Sequence, residues 1–309
     1  MRVRLFSALA ALALSITCLS GCSRLATDAS SHIVVTTNIL GDIVGEIVGA
    51  EADVTVLMKP NADPHSFAIS AQEAHALQTS DLVVFNGLGL EEGALHHVEA
   101  ASRDGIPTLE VGAAVDPIEY NSGNTAGQMD PHFWTDPTRV ARVVELIADQ
   151  VIEHLPRVDA EAIRKQAASY TDELTALDAR MEQQFRAIPE TDRKLITNHH
   201  VFAYLAQRYG FTVIGAIMPS GTTLASPSAS DLASLVGALN DNGIDTIFVD
   251  SSQPDRLARV LADAVGIDVE IRSLFSESLG GPGSDADSYL NMMRFNASQI
   301  SDGLGGTPR

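Results

Sequence analysis

The sequence has few cysteines and few positive charges. Its 309 residues include two cysteines, and 20 lysines and arginines stand against 40 aspartates and glutamates, a formal net charge of −20. So acidic a chain would repel nucleic acid and other phosphate-rich partners, and we predict that it binds no nucleic acid. The charge alone does not argue for cation binding, because it also serves solubility.

The start of the chain has the layout of a secretory signal. Two arginines precede an apolar run over residues 5–16, which is too short to span a bilayer. Leu19-Ser20-Gly21-Cys22 then matches a bacterial lipobox, in which the cysteine takes a diacylglyceryl group. We predict a lipoprotein signal peptide over 1–21, lipidation at Cys22 and a tether over 22–31. An ordinary signal peptide cleaved nearby is the alternative.

The lipobox predicts where the mature chain lies and which metal ligands it lacks. Two acyl chains on Cys22 would anchor the exported protein to the outer face of the cell membrane without a transmembrane helix. Cys18 would leave with the signal peptide, and Cys22 would be blocked. The folded domain would then have no disulfide and no thiolate, so any metal site must use nitrogen and oxygen.

Short β-branched runs alternate with helical patterns in two stretches of the chain. Several runs are almost continuously apolar, as buried parallel strands are. The predicted strands are 32–37, 53–58, 81–86 and 107–111, then 194–197, 212–216, 245–250 and 268–272. Helical candidates between them include 70–79, 90–102, 230–242 and 254–265. Four strand-and-helix units on each side predict two α/β lobes with parallel sheets.

The interval between these stretches, residues 137–188, has no strand pattern. From residue 163 to 188, apolar residues recur at intervals of three and four, forming one stripe on a helix about 40 Å long. We interpret this helix as a rigid strut between an N-terminal lobe at 32–136 and a C-terminal lobe at 189–309. A coiled-coil partner is the alternative, but the stripe is short for one, and we expect a monomer.

Two segments share a tripeptide, Asp63-Pro64-His65 and Asp130-Pro131-His132, and an aromatic residue closely follows each. Proline fixes its own φ and pushes the preceding residue towards an extended conformation, so each histidine is presented from a stiffened loop. Asp63 and Asp130 could accept a hydrogen bond from an imidazole N–H, or act only as turn residues.

Two more candidates follow predicted strands of the second lobe. His199 and His200 come after strand 194–197, at the opening of a predicted helix, and Glu277 follows strand 268–272. The carboxyl ends of strands in an α/β lobe face the binding crevice, so these side chains can reach it. The four candidates are compatible with one site, although a single histidine is more often a surface or hydrogen-bonded residue.

The segment Asp130-Pro-His-Phe-Trp-Thr-Asp-Pro137 resembles the D-P-H-x-W-x-D-P signature of the metal-binding family of ABC-transporter solute-binding lipoproteins, whose members bind zinc or manganese. Other pieces match in order: Pro64-His65-Ser66-Phe67, Asn86-Gly-Leu-Gly-Leu-Glu91, Thr197-Asn-His-His-Val-Phe202 and Asp287-Ser-Tyr-Leu-Asn-Met-Met-Arg-Phe-Asn296. The resemblance covers residues 32–300. It implies a metal-type periplasmic-binding-protein fold, with two α/β lobes bridged by one long rigid helix and the metal between them.

Carried over position by position, the resemblance implies metal ligands at His65, His132, His199 and Glu277. Glu277 departs from the family's usual aspartate and is one methylene longer, so it either coordinates through an altered loop or stays outside the coordination sphere. His200 stands where the family commonly has a small residue or an aspartate. It is the alternative ligand, a surface residue or a partner for Glu277.

Three imidazoles and one carboxylate favour Zn²⁺, which accepts tetrahedral nitrogen coordination, whereas oxygen-rich sets suit Mn²⁺. Manganese-selecting members of the family often have a glutamate at the third position, where this chain has His199. Zinc is therefore the expected ion and manganese the alternative. Residues 116–130 contain no histidine, so we expect no scavenging by a histidine-rich loop.

The predicted function is capture of a divalent transition metal outside the cytoplasmic membrane and its delivery to an ABC permease, without catalysis. A secreted zinc hydrolase with Glu277 as general base is the rival enzyme, but no His-Glu-x-x-His helix is present. A surface adhesin is another alternative for the same fold. Turnover that depends on zinc would favour the hydrolase, and host-ligand binding independent of metal would favour the adhesin.

Overall fold

The computed structural model describes residues 30–120 and 126–306. The predicted signal peptide, the lipidation at Cys22 and all but the last two residues of the predicted tether lie outside these residues. Within the described ranges, no helix is both long enough and apolar enough to cross a membrane.

The first lobe is built on a four-stranded parallel sheet in the order β2-β1-β3-β4. Its strands are β1 (Ser31–Val35), β2 (Ala52–Val56), β3 (Leu82–Phe85) and β4 (Thr108–Glu110), and its helices are α1 (Asn38–Val48), α2 (Ala71–Thr79) and α3 (Leu95–Arg103). The central strand β1 is fully buried from Ile33 to Val35, which explains its continuous apolar run.

Two helices lie between the lobes in the sequence, α4 (Pro137–His154) and the longer α5 (Ala160–Arg186), and α5 is the predicted bridging helix. Asp136 caps α4 through the Thr138 N–H, with proline at the first helical position, and Asp159 caps α5. Every member of the predicted apolar stripe is buried, namely Ile163, Ala167, Tyr170, Leu174, Leu177, Met181, Phe185 and Ile188. The stripe packs inside this chain, so its burial requires no second helix from a partner.

The second lobe repeats the architecture of the first, with a parallel sheet in the order β6-β5-β7-β8. Its strands are β5 (Lys194–Thr197), β6 (Thr212–Ala216), β7 (Thr246–Asp250) and β8 (Glu270–Leu274), and its helices are α6 (Ala203–Tyr209), α7 (Ala229–Asn242), α8 (Arg256–Val265) and α9 (Tyr289–Gly303). The predicted fold class, two parallel-sheet α/β lobes bridged by one long helix, is confirmed.

The helix α5 joins the two sheets into one structural unit. A continuous apolar core runs from the first lobe through the stripe of α5 to Tyr289, Met293 and Ile300 of α9. Near the C-terminal end of α5, the Asp178 carboxylate accepts bidentate hydrogen bonds from the Arg208 guanidinium, at 3.0 and 2.6 Å. It also accepts a hydrogen bond from the Tyr209 hydroxyl. Each sheet buries its other face in a smaller core of its own.

Two helices begin later than the sequence predicts. In each case, the residues before the helix make non-helical hydrogen bonds instead. The helix predicted over 90–102 begins at Leu95, since the Glu91 carboxylate folds back to accept the N–H groups of Asn86 and Gly87. The helix expected to open at His199 begins at Ala203. The His200 N–H instead donates to the Ser220 carbonyl in the loop after β6.

Candidate metal centre

The four predicted ligands lie together between the lobes. His65 and His132 come from the loops after β2 and β4, and His199 and Glu277 from the loops after β5 and β8. Their candidate ligand atoms all lie within 4.8 Å of one another. All four side chains are at most 1 % exposed. The carboxyl ends of the parallel strands thus bring together residues as far apart in the sequence as His65 and Glu277, which are separated by 212 positions.

The side chains point towards a common centre. One Glu277 oxygen, Oε1, lies 3.0 Å from His199 Nε2 and 3.4 Å from His132 Nε2, and the other lies 3.7 Å from His65 Nε2. The two nitrogens of His65 and His132 are 3.4 Å apart. All three imidazoles therefore present the same ring nitrogen to one carboxylate.

The centre contains buried polar atoms that the protein itself leaves unsatisfied. Both carboxylate oxygens of Glu277 and both ring nitrogens of His199 lack a hydrogen bond of acceptable geometry. The short approach between the two residues does not have the geometry of a hydrogen bond either. Buried polar groups without partners are costly, and native proteins rarely retain them without a reason. One divalent cation at this point would satisfy the inward-facing nitrogens and the carboxylate together, so the donor set fits a metal ion.

Burial disfavours the charged forms of three of the four side chains in the centre. Burial, followed by repulsion from His132 and His199, lowers the pKa of His65 to about 2. Burial also lowers the pKa of His199 and raises the pKa of Glu277 well above its usual range. His65 and His199 are thus neutral at pH 7 and offer lone pairs, which is the form that binds a metal.

The aspartates of the two shared tripeptides make different contacts. Asp130 Oδ1 accepts from the His132 backbone N–H at 2.9 Å and lies 2.7 Å from the imidazole Nδ1. Asp63 Oδ1 accepts only the His65 backbone N–H, at 2.9 Å, and the Nδ1 of that ring has no partner. Asp130 can therefore accept a hydrogen bond from the His132 imidazole, whereas Asp63 Oδ1 only stabilises the turn at His65.

His200 lies outside the four-residue cluster. Its ring centroid is 6.5 Å from that of Tyr120, and it lines a separate half-open cavity of about 370 Å³ together with Glu119, Phe202 and Phe211. His199, the residue nearer to the end of β5, is the one that faces the crevice.

Sequence reasoning missed Asp250, the last residue of β7, which supports the Glu277 loop. Its Oδ2 accepts from the Ser276 N–H at 2.9 Å, the Ser276 hydroxyl at 2.6 Å and the Glu277 N–H at 3.1 Å. Its Oδ1 accepts from the N–H and the hydroxyl of Ser252. An acidic residue at the carboxyl end of a predicted strand was the available signal.

Sequence reasoning also missed two residues that fix the His132 loop. The Tyr120 hydroxyl lies 3.2 Å from both Asp130 Oδ1 and His132 Nδ1. The Tyr204 hydroxyl, on α6 of the second lobe, donates to the Asp130 carbonyl at 2.6 Å. Neither tyrosine belongs to a local pattern that predicts such a contact.

The family described as zinc-uptake complex component A, periplasmic, matches residues 33–303 of this chain. Among curated proteins, the metal ABC transporter substrate-binding lipoprotein FimA of Streptococcus parasanguinis is 28 % identical over 294 residues, covering 93 % of this chain and 94 % of the relative. The manganese-binding lipoprotein MntA of Halalkalibacterium halodurans is 27 % identical, covering 88 % of each. The iron-binding protein YfeA of Yersinia pestis is 26 % identical, covering 88 % and 86 %.

Solved structures have the same fold. The periplasmic zinc-binding protein TroA of Treponema pallidum superposes with a TM-score of 0.82 and 26 % sequence identity, covering 89 % of this chain and 99 % of that one. A manganese-bound periplasmic metal-binding protein of Candidatus Liberibacter asiaticus superposes with a TM-score of 0.79 at 24 % identity, over 89 % and 99 % of the two chains.

Proposed function

This chain belongs to the zinc-uptake complex component A family, metal-binding substrate-binding proteins of ABC transporters rather than enzymes, and we propose that the ion it carries to its permease is Zn²⁺. The observation that carries the proposal is the buried cluster of three imidazoles and one carboxylate, whose inward-facing atoms need a cation as their partner. The ligands we propose are His65, His132, His199 and Glu277.

The donor set supports zinc over manganese. The names of the relatives divide among manganese, iron and zinc, so the choice rests on the chemistry of this site. Three neutral nitrogens and one carboxylate suit the tetrahedral preference of Zn²⁺, whereas Mn²⁺ prefers sites richer in oxygen. Cu²⁺ and Ni²⁺ would also bind such a site in vitro, so metal supply contributes to selectivity in the cell.

We propose that Glu277 coordinates the ion directly. Its loop is held by Asp250, and its carboxylate already approaches two of the three imidazoles to within 3.4 Å. The extra methylene relative to an aspartate therefore does not carry the carboxylate past the centre. Burial raises the pKa of Glu277 and so favours its protonated form, whereas a bound cation favours the carboxylate, so ion binding is coupled to proton loss from this group.

Asp130 prepares His132 for the ion. When the Nδ1–H of this ring donates to Asp130, the Nε2 lone pair is free and points to the centre. The tautomer and the orientation of the ring are then fixed before the ion arrives. Trp134 adds packing, because its ring centroid lies 5.2 Å from that of His132.

Metal binding and release would involve movements of the ligand loops more than rotation of one lobe against the other. The ligands are buried, so an ion enters only if at least one ligand loop moves, whereas the core around α5 joins both sheets and resists rotation of one lobe against the other. Metal-free and metal-bound structures that differ by a wide lobe rotation would contradict this mechanism.

The start of the sequence supports a proposal for the location of the protein. Two of the relatives are named lipoproteins, and Leu19-Ser20-Gly21-Cys22 has the lipobox pattern, so we propose that the chain is exported and anchored through Cys22. Cells fed a radiolabelled fatty acid should label the wild-type chain and not a Cys22→Ala variant. Equal labelling of both chains would refute the anchor.

Competitive metal binding tests the proposed function. The purified full chain, stripped with a chelator, should bind one Zn²⁺ in preference to Mn²⁺ in calorimetry and quench or enhance the fluorescence of Trp134, the single tryptophan. The preference should disappear in the four single alanine variants of the ligands. Tighter binding of Mn²⁺ than of Zn²⁺ by the wild type would refute zinc as the carried ion.

A further inference from the structure

Asp63 connects a ligand loop of the first lobe to the second lobe. While its Oδ1 holds the His65 backbone, its Oδ2 accepts from the Thr223 hydroxyl at 2.5 Å and from the Gln253 side-chain amide at 3.0 Å. Thr223 lies in the loop after β6, and Gln253 lies just after β7. We call this set of Asp63, Thr223 and Gln253 the Asp63 latch.

The loop that carries His65 is less firmly tied to its surroundings than the loop that carries His132. Residues 57–70, between β2 and α2, contain neither helix nor strand. The His65 ring has no hydrogen bond at Nδ1, so its position depends on the path of the loop. A further tie to the second lobe is the Asn61 N–H, which donates to the Leu279 carbonyl at 3.0 Å.

The loop that carries His132 is held at several points. The Tyr204 hydroxyl holds the Asp130 carbonyl, and the Asn86 amide donates to the Pro131 carbonyl at 3.0 Å. Three residues after the histidine, the chain reaches Asp136, the N-cap of α4. The Tyr120 hydroxyl also contacts Asp130, the Trp134 ring N–H donates to the Ser276 carbonyl at 2.9 Å, and the Tyr289 hydroxyl donates to the Trp134 carbonyl at 2.7 Å. With these contacts counted, the His132 loop is held at more points than the His65 loop, which therefore needs fewer broken contacts to move away from the centre.

We propose that the His65 loop opens for metal exchange and that the Asp63 latch governs how fast it opens. This inference rests on the proposed function, because it concerns the exchange of the ion at that centre. Asp63 is a positioning residue that acts on the ion through His65. A latch of this kind slows entry and exit alike, so it changes the exchange rates more than the equilibrium affinity.

The second lobe offers variants that leave the four ligands and Asp63 intact. Thr223→Val keeps the shape of the side chain and removes the donor, whereas Thr223→Ser keeps the hydroxyl. Thr222→Val is a matched control, because the Thr222 hydroxyl also crosses to the first lobe, at 3.0 Å from Glu92, but touches no ligand loop. All three changes lie in one loop and should leave the thermal unfolding midpoint nearly unchanged.

The measurement is the release of Zn²⁺ from the loaded full chain into excess EDTA, followed by Trp134 fluorescence in a stopped-flow instrument. We expect Thr223→Val to release zinc about tenfold faster, which corresponds to a charge-assisted hydrogen bond of ordinary strength. Its dissociation constant should change less than about threefold. Thr223→Ser and Thr222→Val should release zinc at the wild-type rate.

Several results would overturn the inference. They are a wild-type rate for Thr223→Val, an equal acceleration in Thr222→Val, a Thr223→Ser variant as fast as the valine variant, or a loss of affinity as large as the gain in rate. Each can be recognised only if wild-type protein binds zinc, so failure of the wild type to bind would refute the proposed function, and any of these four results would refute the latch alone.

Discussion

The two Asp-Pro-His loops have the same tripeptide, but their aspartates do different work. Asp130 turns inward and holds the ring of its own histidine, whereas Asp63 turns outward and binds two side chains of the opposite lobe. Both aspartates hold the histidine backbone in the same way, at 2.9 Å. The local motif thus fixes the turn. The surrounding residues determine which partners are available to the aspartate carboxylate and to the imidazole ring.

The difference suggests a division of labour in the centre. The His132 loop is the fixed side, with a ring oriented in advance and a backbone tied to both lobes. The His65 loop is the movable side, with a ring that follows the loop. Removal of either histidine should affect both loops alike, whereas changes to the two aspartates should separate these roles.

Removal of either imidazole should have the largest effect on zinc affinity, and the effect should be the same for His65 and His132. His65→Ala and His132→Ala each delete a proposed ligand, and we expect zinc affinity to fall more than about a hundredfold, beyond the 10–100-fold effect typical of outer partners. Calorimetry against a competing chelator measures this loss. The exposed His75→Ala is the control and should bind as the wild type does. A loss below tenfold in either ligand variant would remove that histidine from the ligand set.

Zinc should stabilise the fold, and both loops should be needed for it. At a free zinc concentration about 1,000 times the dissociation constant, binding adds about 4 kcal/mol to the free energy of unfolding. At the same zinc concentration, a hundredfold loss of affinity leaves only about 1.4 kcal/mol of this stabilisation. Scanning calorimetry with zinc and with EDTA should therefore show a higher midpoint for the loaded wild type, and a rise less than half as large for His65→Ala or His132→Ala. A zinc-dependent rise as large as that of the wild type in either variant would mean that its histidine does not bind the ion.

Asp130→Asn should reveal the first difference between the loops. Loss of the carboxylate weakens the hold on His132 Nδ1, and we expect zinc affinity to fall about 10- to 100-fold. Asp63→Asn leaves every imidazole contact in place, so its affinity should fall less than about threefold. Equal losses in the two variants, measured by the same chelator competition, would contradict the division between fixed and movable loops.

Tyr120→Phe should have a smaller effect than Asp130→Asn. Its hydroxyl adds one hydrogen bond to Asp130, worth about 1 kcal/mol, so zinc affinity should fall about fivefold. Tyr209→Phe removes a hydroxyl that binds Asp178 far from the centre, and it should lower stability without changing affinity. Wild-type affinity in Tyr120→Phe would show that Asp130 holds His132 without help.

Much of the fold is predictable from the sequence because it follows from local patterns. The buried central strands read as continuous apolar runs, and the stripe on α5 keeps a helical period over its whole length. Element boundaries were harder, since they depend on single side chains. The late start of α3 comes from Glu91, whose carboxylate is also bound by the Thr36 hydroxyl of the neighbouring strand end, a contact across 55 residues.

The four residues that meet in the centre were predictable, but the residues that support them were not. The resemblance carried over four ligand positions, and the structure brings those four residues together. The outward role of Asp63 depends on Thr223 and Gln253, which are 160 and 190 residues away, and no local signal connects them. Likewise, the choice of His199 over His200 depends on which of two adjacent side chains faces the crevice at the end of β5.

The apolar core along α5 also decides how this protein can be divided. Removal of either lobe would leave part of a 27-residue helix with its buried stripe facing water, so neither half is a self-sufficient building block. A chain cut between the lobes would yield fragments that need each other to fold. For anyone grafting this centre into a biosensor, the whole chain around α5 is the smallest transplantable module.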